Sequence, residues 1–431
     1  MNRNIDKCLF RISNRRDGVP IMFHQWQSST GVRLRLCLIL LSLVLCGVPA
    51  HSQTTTLVQQ QHRPRRAGSA PSSSDTTGAP SSAEQELDEN DVVRVDTQLI
   101  SVPVIVRDQS GHPITGLTAA SFQLYEDNRP QNVATFATSD VPFEVALVLD
   151  TSGSTREEIE LIRGAAYAFI ESLRPGDRVA VLSFQNTEDN NANRRATIGI
   201  QSYLTNDRNA LRGAIQHIGS SKGTPYYDAL ERVVKDVFPD APTPELRGRR
   251  ALVALTDGVD STSVSDFASV RAHFLEAGLL AYFVQVDTEE YVENQLLIDC
   301  QDDRTLRLSR AQLERYRRTF DPRADQEDYS DFCQMGSLER MTISRSLYQL
   351  ARREMGQLAG DSGGRTFAVS NLDAACNAFA EVAAEIGRQY SLGYYSSNKS
   401  HDGRFRQIRV EVPGLSGAQV SSREGYETTK G

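Results

Sequence analysis

The chain has 431 residues, enough for two or three domains, and its 39% apolar and 24% charged residues are ordinary for globular proteins. Its net charge of −8, with no basic stripe and no nucleic-acid-binding motif, argues against a nucleic acid as partner. The seven histidines are scattered and the six cysteines form no Cys-x-x-Cys pair, so the sequence gives no support for zinc chemistry.

An apolar run near the N-terminus has the features of an export signal. It covers residues 36–49, follows Arg33 and Arg35, and ends at a small-x-small cleavage site. A membrane-spanning helix usually needs about 18 or more apolar residues, and this run is shorter. We therefore predict a signal peptide over residues 1–52, with Met22 as an alternative start, and a protein that is secreted or held in the periplasm or cell envelope. Membrane contact is expected only through this signal.

Two segments of different character follow. Residues 53–90 are rich in Gln, Ser, Thr, Pro and Ala, which predicts a disordered linker. Residues 91–139 predict a small β segment that is too short for a complete sandwich. Its strands are predicted at 92–95, 100–106 and 122–126, and its turns at 108–111 and 127–130.

Residues 140–386 alternate between apolar strands and helical patterns. This alternation predicts an α/β fold: a doubly wound, mostly parallel, Rossmann-like sheet with helices on both faces. The strands are predicted at 145–149, 178–184, 196–203, 250–256, 280–286 and 365–369. The helices are predicted near 157–173, 207–218, 225–238, 265–277, 344–359 and 371–386.

A charged insertion at 288–343 interrupts this pattern. It leaves the sheet at the carboxyl end of a strand, where long loops usually carry function. In an exported protein we expect Cys300 and Cys333, which both lie in the insertion, to form a disulfide. Cys376 has helical spacing with apolar neighbours and is predicted to be a buried core thiol.

The C-terminal segment, residues 387–431, returns to strands. They are predicted at 389–395, 405–412 and 420–423. Two incomplete β segments therefore flank one α/β domain. We predict that they pair into a single β-sandwich built from both sides of that domain.

Five polar side chains lie at or near the edge of the predicted sheet where ligands bind. The first strand of the α/β region ends at Asp150, and Ser152 and Ser154 follow in a polar turn. Thr224 precedes a predicted helix, and Asp257 ends a second buried strand. Open α/β sheets bind ligands in the crevice at the carboxyl ends of their strands. Hydroxyl and carboxylate oxygens suit Mg²⁺, Mn²⁺ or Ca²⁺.

These residues, in this order, resemble the metal-ion-dependent adhesion site of the von Willebrand factor type A domain, whose pattern is Asp-x-Ser-x-Ser, then a Thr, then an Asp. The resemblance implies that Ser152, Ser154 and Thr224 bind the ion directly. It implies that Asp150 and Asp257 act through water and orient the hydroxyls. A partner protein would then complete the coordination with a Glu or Asp.

The strand at 390–395, Tyr-Ser-Leu-Gly-Tyr-Tyr, adds a resemblance to a bacterial group of exported proteins in which such a strand follows this domain. The implied function is divalent-cation-dependent protein binding or adhesion, with no small-molecule substrate and no catalysis. The insertion at 288–343 would help to set the choice of partner.

Each of the five residues also has a simpler explanation. Ser152 and Ser154 could cap the helix predicted at 157. Thr224 could cap the helix at 225, and Asp257 could be a turn residue. The coincidence of all five near strand ends favours the metal site over these separate roles.

Three other functions stay open on the sequence alone. A serine hydrolase would use Ser152 as nucleophile, but the Gly-x-Ser-x-Gly elbow is missing and no histidine follows at a persuasive position. A metal hydrolase would need a general base beyond the ligands. An ion-independent structural scaffold is the third. Asp228 and Asp260 lie near the site and are expected to act in caps or turns.

Overall fold

The computed structural model describes residues 99–138, 141–153, 159–188, 194–240, 246, 249–298 and 307–428, all within one compact unit. The predicted signal peptide, the predicted linker and the strand predicted at 92–95 lie outside these residues, and so do Ser154 and Cys300. Among the described residues no helix is long and apolar enough to cross a membrane.

Strands and helices alternate in the middle of the described chain, and further strands lie at both ends. The strands are β1 (Leu99–Arg107), β2 (Gln123–Glu126), β3 (Arg129–Gln131), β4 (Val133–Ala137), β5 (Glu144–Leu149), β6 (Arg178–Glu188), β7 (Arg194–Thr205), β8 (Arg250–Thr256), β9 (Leu280–Val286), β10 (Arg365–Val369), β11 (Tyr390–Tyr395), β12 (Phe405–Glu411), β13 (Gln419–Ser422) and β14 (Gly425–Glu427). The helices are α1 (Ile159–Ser172), α2 (Arg208–Gln216), α3 (Tyr226–Arg232), α4 (Phe267–Glu276), α5 (Glu289–Leu296), α6 (Arg310–Phe320), α7 (Ser337–Ser362) and α8 (Leu372–Ile386). Shorter helical turns cover Ala119–Ser121, Val233–Val237, Gln326–Tyr329 and Phe332–Gln334.

The central sheet has the strand order β10-β9-β8-β5-β6-β7. Its neighbouring strands are parallel, except that β7 pairs antiparallel with β6 at one edge. β5 lies inside the sheet, and all of its residues are buried, as a strand covered on both faces requires. The mostly parallel, doubly wound sheet predicted from the sequence is confirmed.

Helices cover both faces of this sheet. On one face α1, α2 and α8 pack through an apolar core that contains Phe169 and Phe379. On the other face α3, α4 and α7 pack through a second core that contains Tyr226, Phe274 and Met355. Because the sheet is covered on both sides, only its strand ends and the loops that follow them are left to build a binding site.

Strands from both ends of the described chain form a β-sandwich. One sheet has the order β13-β1-β11-β4, and the other has the order β14-β12-β2-β3. β1 pairs antiparallel with β11, with Leu99 opposite Tyr395, so the N-terminal segment is hydrogen-bonded directly to the C-terminal one. The two sheets enclose a shared apolar core that includes Val102, Val104, Leu124, Leu392, Ile408 and Val410. Each segment therefore completes the other, as the sequence predicts.

The sequence prediction misses three strands of the sandwich, β3, β4 and β14. The turn predicted at 127–130 is confined to Asp127 and Asn128, whose φ angles are 47° and 64°. Asp and Asn adopt this left-handed conformation more readily than most side chains. They join β2 to β3 in a tight hairpin, and Arg129 and Pro130 belong to β3 rather than to the turn.

Glu126 has a carboxylate that is buried in the sandwich, where three hydroxyl groups donate the hydrogen bonds that water would otherwise supply. Tyr394 and Tyr426 donate to its Oε2 at 2.7 and 2.9 Å, and Ser396 donates to its Oε1 at 2.6 Å. Burial, and then the hydrogen bond to Glu126, raise the pKa of Tyr394, so this phenol stays a donor.

We expect Tyr394→Phe to lower the free energy of unfolding by about 2 kcal/mol, because a buried charge loses one of its donors. The control is Tyr395→Phe, at the neighbouring and 48% exposed tyrosine, which should change it by less than about 0.5 kcal/mol. Urea unfolding measures both variants. Equal effects at the two positions would contradict the role given to the Tyr394 hydroxyl.

The described part of the insertion at 288–343 is largely helical, which the sequence analysis does not predict. It contains α5, α6, two short 3₁₀ turns and the beginning of α7, which starts at Ser337 rather than near 344. These elements share a small apolar core with Val259, in the loop after β8, and with Tyr348 on α7. The insertion contributes the following buried residues to that core: Val292, Leu296, Leu308, Leu313, Phe332, Met335 and Ile343. Because Val259 follows a strand end, the insertion packs against the carboxyl edge of the sheet, where the topology predicts it.

Cys333 and Cys376 are both disulfide-bonded. The pairing of Cys300 with Cys333 stays a prediction, because Cys300 lies outside the described residues. Cys376 is buried on α8, as its helical spacing predicts. The prediction that it is a core thiol is wrong, since its sulfur is part of a disulfide. Helical spacing identifies a buried face and carries no information about the oxidation state of the sulfur.

Candidate metal centre

Asp150 is the first residue after β5, at the carboxyl edge of the central sheet. Its backbone N–H donates to the carbonyl of Leu255 at 2.9 Å, which extends the pairing of β5 with β8. Its Oδ1 accepts from the Ser152 N–H at 2.9 Å, and its Oδ2 accepts from the Thr256 hydroxyl at 2.7 Å. The carboxylate is buried, and the turn and the neighbouring strand together fix its orientation.

Asp257 has the corresponding position after β8, the strand beside β5. Its Oδ1 accepts from the Val259 N–H at 3.0 Å, and its Oδ2 accepts from the Thr288 hydroxyl at 2.7 Å. Burial first, and the negative charge of Asp257 second, raise the pKa of Asp150 to about 7, against the hydrogen bonds that Asp150 accepts. Two buried carboxylates therefore lie within electrostatic reach of one another at adjacent strand ends.

Thr224 lies in the loop before α3 and is tied to the loop that follows β8. Its N–H donates to Ser261 Oγ at 2.7 Å, and the Ser261 N–H donates to the Thr224 carbonyl at 2.9 Å. Pro225 precedes the helix without a side-chain cap, and the Tyr226 N–H donates instead to Asp260 Oδ2 at 2.9 Å. Within the described part of the chain the Thr224 hydroxyl makes no hydrogen bond. Helix capping therefore does not explain this hydroxyl.

The turn after β5 is also tied to its surroundings. The Thr151 hydroxyl donates to the carbonyl of Phe184 at 2.7 Å, and the Ser221 N–H donates to the carbonyl of Thr151 at 2.7 Å. These bonds link the Asp-x-Ser turn to β6 and to the loop that leads to Thr224. The loop after β5, the loop between α2 and α3 and the loop after β8 are therefore cross-linked at one edge of the sheet.

Four of the five predicted residues converge at this edge: Asp150, Ser152, Thr224 and Asp257, which are 1%, 2%, 7% and 3% exposed. Ser154 lies outside the described residues. In the described ranges no three or more His, Cys, Asp or Glu side chains form a group that could hold a metal ion. The candidate site has only two carboxylates and takes its other ligands from hydroxyl groups, so it is not a group of that type.

The chemistry of these donors fits a hard divalent cation. Hydroxyl and carboxylate oxygens are the ligands that Mg²⁺ and Ca²⁺ prefer. The negative charge of Asp257 helps to raise the pKa of the buried Asp150 carboxyl, and a cation would remove that repulsion. The hydroxyls of Ser152 and Thr224 would hold the ion, and the two aspartates would orient its water. A bound cation would supply the positive charge that attracts a carboxylate.

The helical insertion contributes contacts to this edge that the sequence analysis misses. Thr288, directly before α5, donates to Asp257, and its hydroxyl also lies 2.8 Å from the hydroxyl of Tyr348 on α7. No local sequence pattern reports these contacts, since Thr288 is an ordinary residue after a strand and Tyr348 lies within a helix. They follow only from the way in which the insertion returns to the sheet.

Asp260 joins the insertion to the loop that carries Thr224. The N–H groups of Tyr226 and Tyr227 donate to its Oδ2 at 2.9 and 3.3 Å, which caps α3. Arg315, on α6, donates to its Oδ1 at 3.0 Å and places its guanidinium 4.4 Å from the ring centre of Tyr227. The capping role expected for Asp260 is confirmed, and the structure adds a buried ion pair. Asp228, inside α3, accepts from the N–H groups of Val264 and Ser265 in the loop that follows β8, and so joins two separate elements.

Comparisons with known proteins agree with the resemblance seen in the sequence. Residues 145–259 match the family of the von Willebrand factor type A domain. No curated protein matches the chain. The solved structures similar to it include a von Willebrand factor type A protein from Catenulispora acidiphila, with 12% identity, a TM-score of 0.36, and coverage of 78% of this chain and 74% of that one.

Two further solved structures are similar to smaller parts of the chain. Proximal thread matrix protein 1 from the mussel byssus has 14% identity and a TM-score of 0.35, and the match covers 66% of this chain and 50% of that one. The vWF domain of a type V pili tip protein from Porphyromonas gingivalis has 19% identity and a TM-score of 0.23, with coverage of 28% and 39%. The chain therefore spans half the length of the mussel protein.

The family match and the doubly wound sheet together identify residues 145–259 as part of a von Willebrand factor type A domain. Such a domain is a general protein-interaction module.

Proposed function

We propose that this chain is an exported protein-binding or adhesion module that acts through a divalent cation, preferably Mg²⁺. The ion would be held by Ser152, Ser154 and Thr224, with Asp150 and Asp257 acting through water. A partner protein would bind by placing a Glu or Asp side chain on the ion. Export is inferred from the signal predicted over residues 1–52.

The observation that supports this proposal is the convergence of Asp150, Ser152, Thr224 and Asp257 on cross-linked loops at one edge of the sheet. Two features make a bound cation reasonable at this place. The site has two buried carboxylates in electrostatic contact, and it has a threonine hydroxyl that no helix cap uses.

Catalysis by a serine nucleophile has less support. In the Ser-His arrangement such a reaction needs a histidine within hydrogen-bond reach of Ser152, whereas the Ser152 side chain is hydrogen-bonded to Asp150. Two histidines of the described region are engaged elsewhere: His217 Nδ1 contacts the carbonyl of Gly213 at 2.7 Å, and His273 contacts the carboxylate of Glu231 at 3.0 Å. We therefore favour binding over hydrolysis.

Calorimetric titration of the full chain with Mg²⁺ and with Mn²⁺ tests the proposal. We expect saturable binding that the double variant Asp150→Ala, Ser152→Ala abolishes, because it removes one carboxylate and one hydroxyl from the site. Asp108 and Ser110 supply the matched control, since they form an exposed Asp-x-Ser turn in which the Ser110 N–H donates to Asp108 Oδ1 at 2.8 Å. Asp108→Ala, Ser110→Ala should leave ion binding unchanged.

Binding that survives in the Asp150→Ala, Ser152→Ala variant would place the ion elsewhere. A parent chain that binds neither ion, alone or with an acidic peptide added, would favour the ion-independent scaffold instead.

A further inference from the structure

Thr288 and Tyr348 lie behind Asp257, on the side of the insertion. Thr288 directly precedes α5, and Tyr348 lies on α7, 60 residues further along the chain. Asp257, Thr288 and Tyr348 are 3%, 8% and 3% exposed, so water does not compete for the contacts among them. The three side chains form a row of oxygen atoms that ends at the carboxylate.

The direction of the hydrogen bonds in this row follows from the number of protons available. An ionised carboxylate can only accept, so the Thr288 hydroxyl uses its one proton for Asp257 Oδ2, at 2.7 Å. The Tyr348 hydroxyl, 2.8 Å from Thr288 Oγ1, must therefore be the donor in the second bond. Burial, and then the charge of Asp257, raise the pKa of Tyr348, which keeps its proton in place.

These bonds fix the plane of the Asp257 carboxylate. The Val259 N–H holds Oδ1 at 3.0 Å, and the Thr288 hydroxyl holds Oδ2. The insertion therefore holds the carboxylate from the side of α5 and α7.

We propose that Thr288 and Tyr348 are positioning residues for the metal centre, and that the helical insertion is thereby a working part of it. The proposal rests on the proposed function, since it assumes a cation near Asp257. Thr288 orients Asp257, and Tyr348 orients Thr288. Neither residue touches the ion.

Manganese titration of the full chain tests this role. Thr288→Val and Tyr348→Phe should each weaken Mn²⁺ binding by about 10-fold, the lower end of the loss seen when a hydrogen-bond partner of a metal ligand is removed. The two bonds act in series, so the double variant should be little worse than Thr288→Val alone. Thr288→Ser keeps the hydroxyl and should bind Mn²⁺ nearly as well as the parent chain.

The insertion offers matched controls, since it has another threonine hydroxyl and another tyrosine hydroxyl that form hydrogen bonds away from the site. Thr342 Oγ1 donates to the carbonyl of Leu338 at 2.8 Å on α7, and the Tyr329 hydroxyl donates to Asp321 at 3.0 Å. Thr342→Val and Tyr329→Phe should leave the Mn²⁺ affinity unchanged. The midpoint of thermal unfolding without metal is measured for every variant, because a merely structural role would lower that midpoint and leave the affinity of the folded protein unaltered.

The outcomes separate the two proposals. Weaker binding in Thr288→Val and Tyr348→Phe, with recovery in Thr288→Ser, supports the positioning role. Parent-like affinity in both variants overturns it and leaves the metal site standing. A parent chain that binds no Mn²⁺ overturns the proposed function and the positioning role together.

Discussion

Replacing Arg315 by alanine is expected to lower the free energy of unfolding by about 3 kcal/mol, because it leaves the charge of Asp260 buried without its ion-pair partner. The Asp260 side chain is fully buried, and that of Arg315 is 14% exposed. The guanidinium also lies over the ring of Tyr227, whose hydroxyl donates to Glu354 on α7. Its loss therefore weakens the contact of α6 with α3.

Arg310 provides the control for this prediction on the same helix. Its side chain is 76% exposed and pairs with Glu314 one turn away. Arg310→Ala should change the free energy of unfolding by less than about 0.5 kcal/mol, as for other exposed pairs within a helix. Urea unfolding measures both variants, and a cost for Arg315→Ala no larger than that of Arg310→Ala would show that the buried pair does not hold α6 in place.

The loss in the Arg315→Ala variant should also depend on pH. Burial raises the pKa of Asp260, and Arg315 opposes that rise, so the pKa rises further when Arg315 is removed. A carboxyl group whose folded-state pKa exceeds its unfolded value, about 4, takes up a proton on folding. Its unfavourable contribution therefore grows as the pH rises from that value through the folded-state pKa, and it shrinks on acidification. Part of the loss seen at pH 7 should be recovered at pH 5.

The central sheet could be predicted because each of its strands is a short apolar run with a polar turn after it. β8 and β9 have the bounds that the sequence predicts, and β5 differs by one residue. The sandwich could be predicted only in outline. Two of the strands that the prediction misses, β3 and β14, have three residues each, which is too few to show an alternating pattern.

The helices of the insertion could not be predicted for a different reason. Its core residues come from α5, α6, α7 and a 3₁₀ turn, and each element contributes only a few of them. Charged residues separate these contributions in the sequence, and no single window shows a clear apolar face. One local signal was available: Ser309 and Gln312 form the capping box that starts α6.

The candidate site also has a part that could be predicted from the sequence and a part that could not. Asp150, Ser152 and Asp257 could be predicted because strand ends bring them to one edge of the sheet. The contacts of Asp257 with Thr288, and of Asp260 with Arg315, depend on how the insertion folds back. These pairs are separated by 31 and 55 residues, and no local physical rule links residues so far apart in the sequence.

Gly258, which follows Asp257, lies against Met355 on α7. Its φ angle of +75° is one that side chains other than glycine rarely adopt. A Cβ atom at this position would lie 2.6 Å from Cε of Met355 on α7, and 2.8 Å from its Sδ. Gly258→Ala is therefore expected to lower the free energy of unfolding by about 3 kcal/mol, from roughly 1 kcal/mol of backbone strain and about 2 kcal/mol of overpacking.

A variant at Gly278 measures the backbone strain without the overpacking. Gly278 also has a positive φ angle, +66°, but a Cβ atom there would meet no other atom within 4 Å. Gly278→Ala should therefore show only the backbone cost, about 1 kcal/mol. Met355→Ala should be destabilising alone, because Met355 is fully buried, yet it should reduce the additional cost of Gly258→Ala. If Gly258→Ala costs no more than Gly278→Ala, and Met355→Ala does not change that cost, then Met355 on α7 does not restrict the loop after Asp257 sterically.

If Met355 does restrict that loop, Gly258→Ala should also weaken Mn²⁺ binding, because the displaced loop carries the N–H group of Val259 that holds the Asp257 carboxylate.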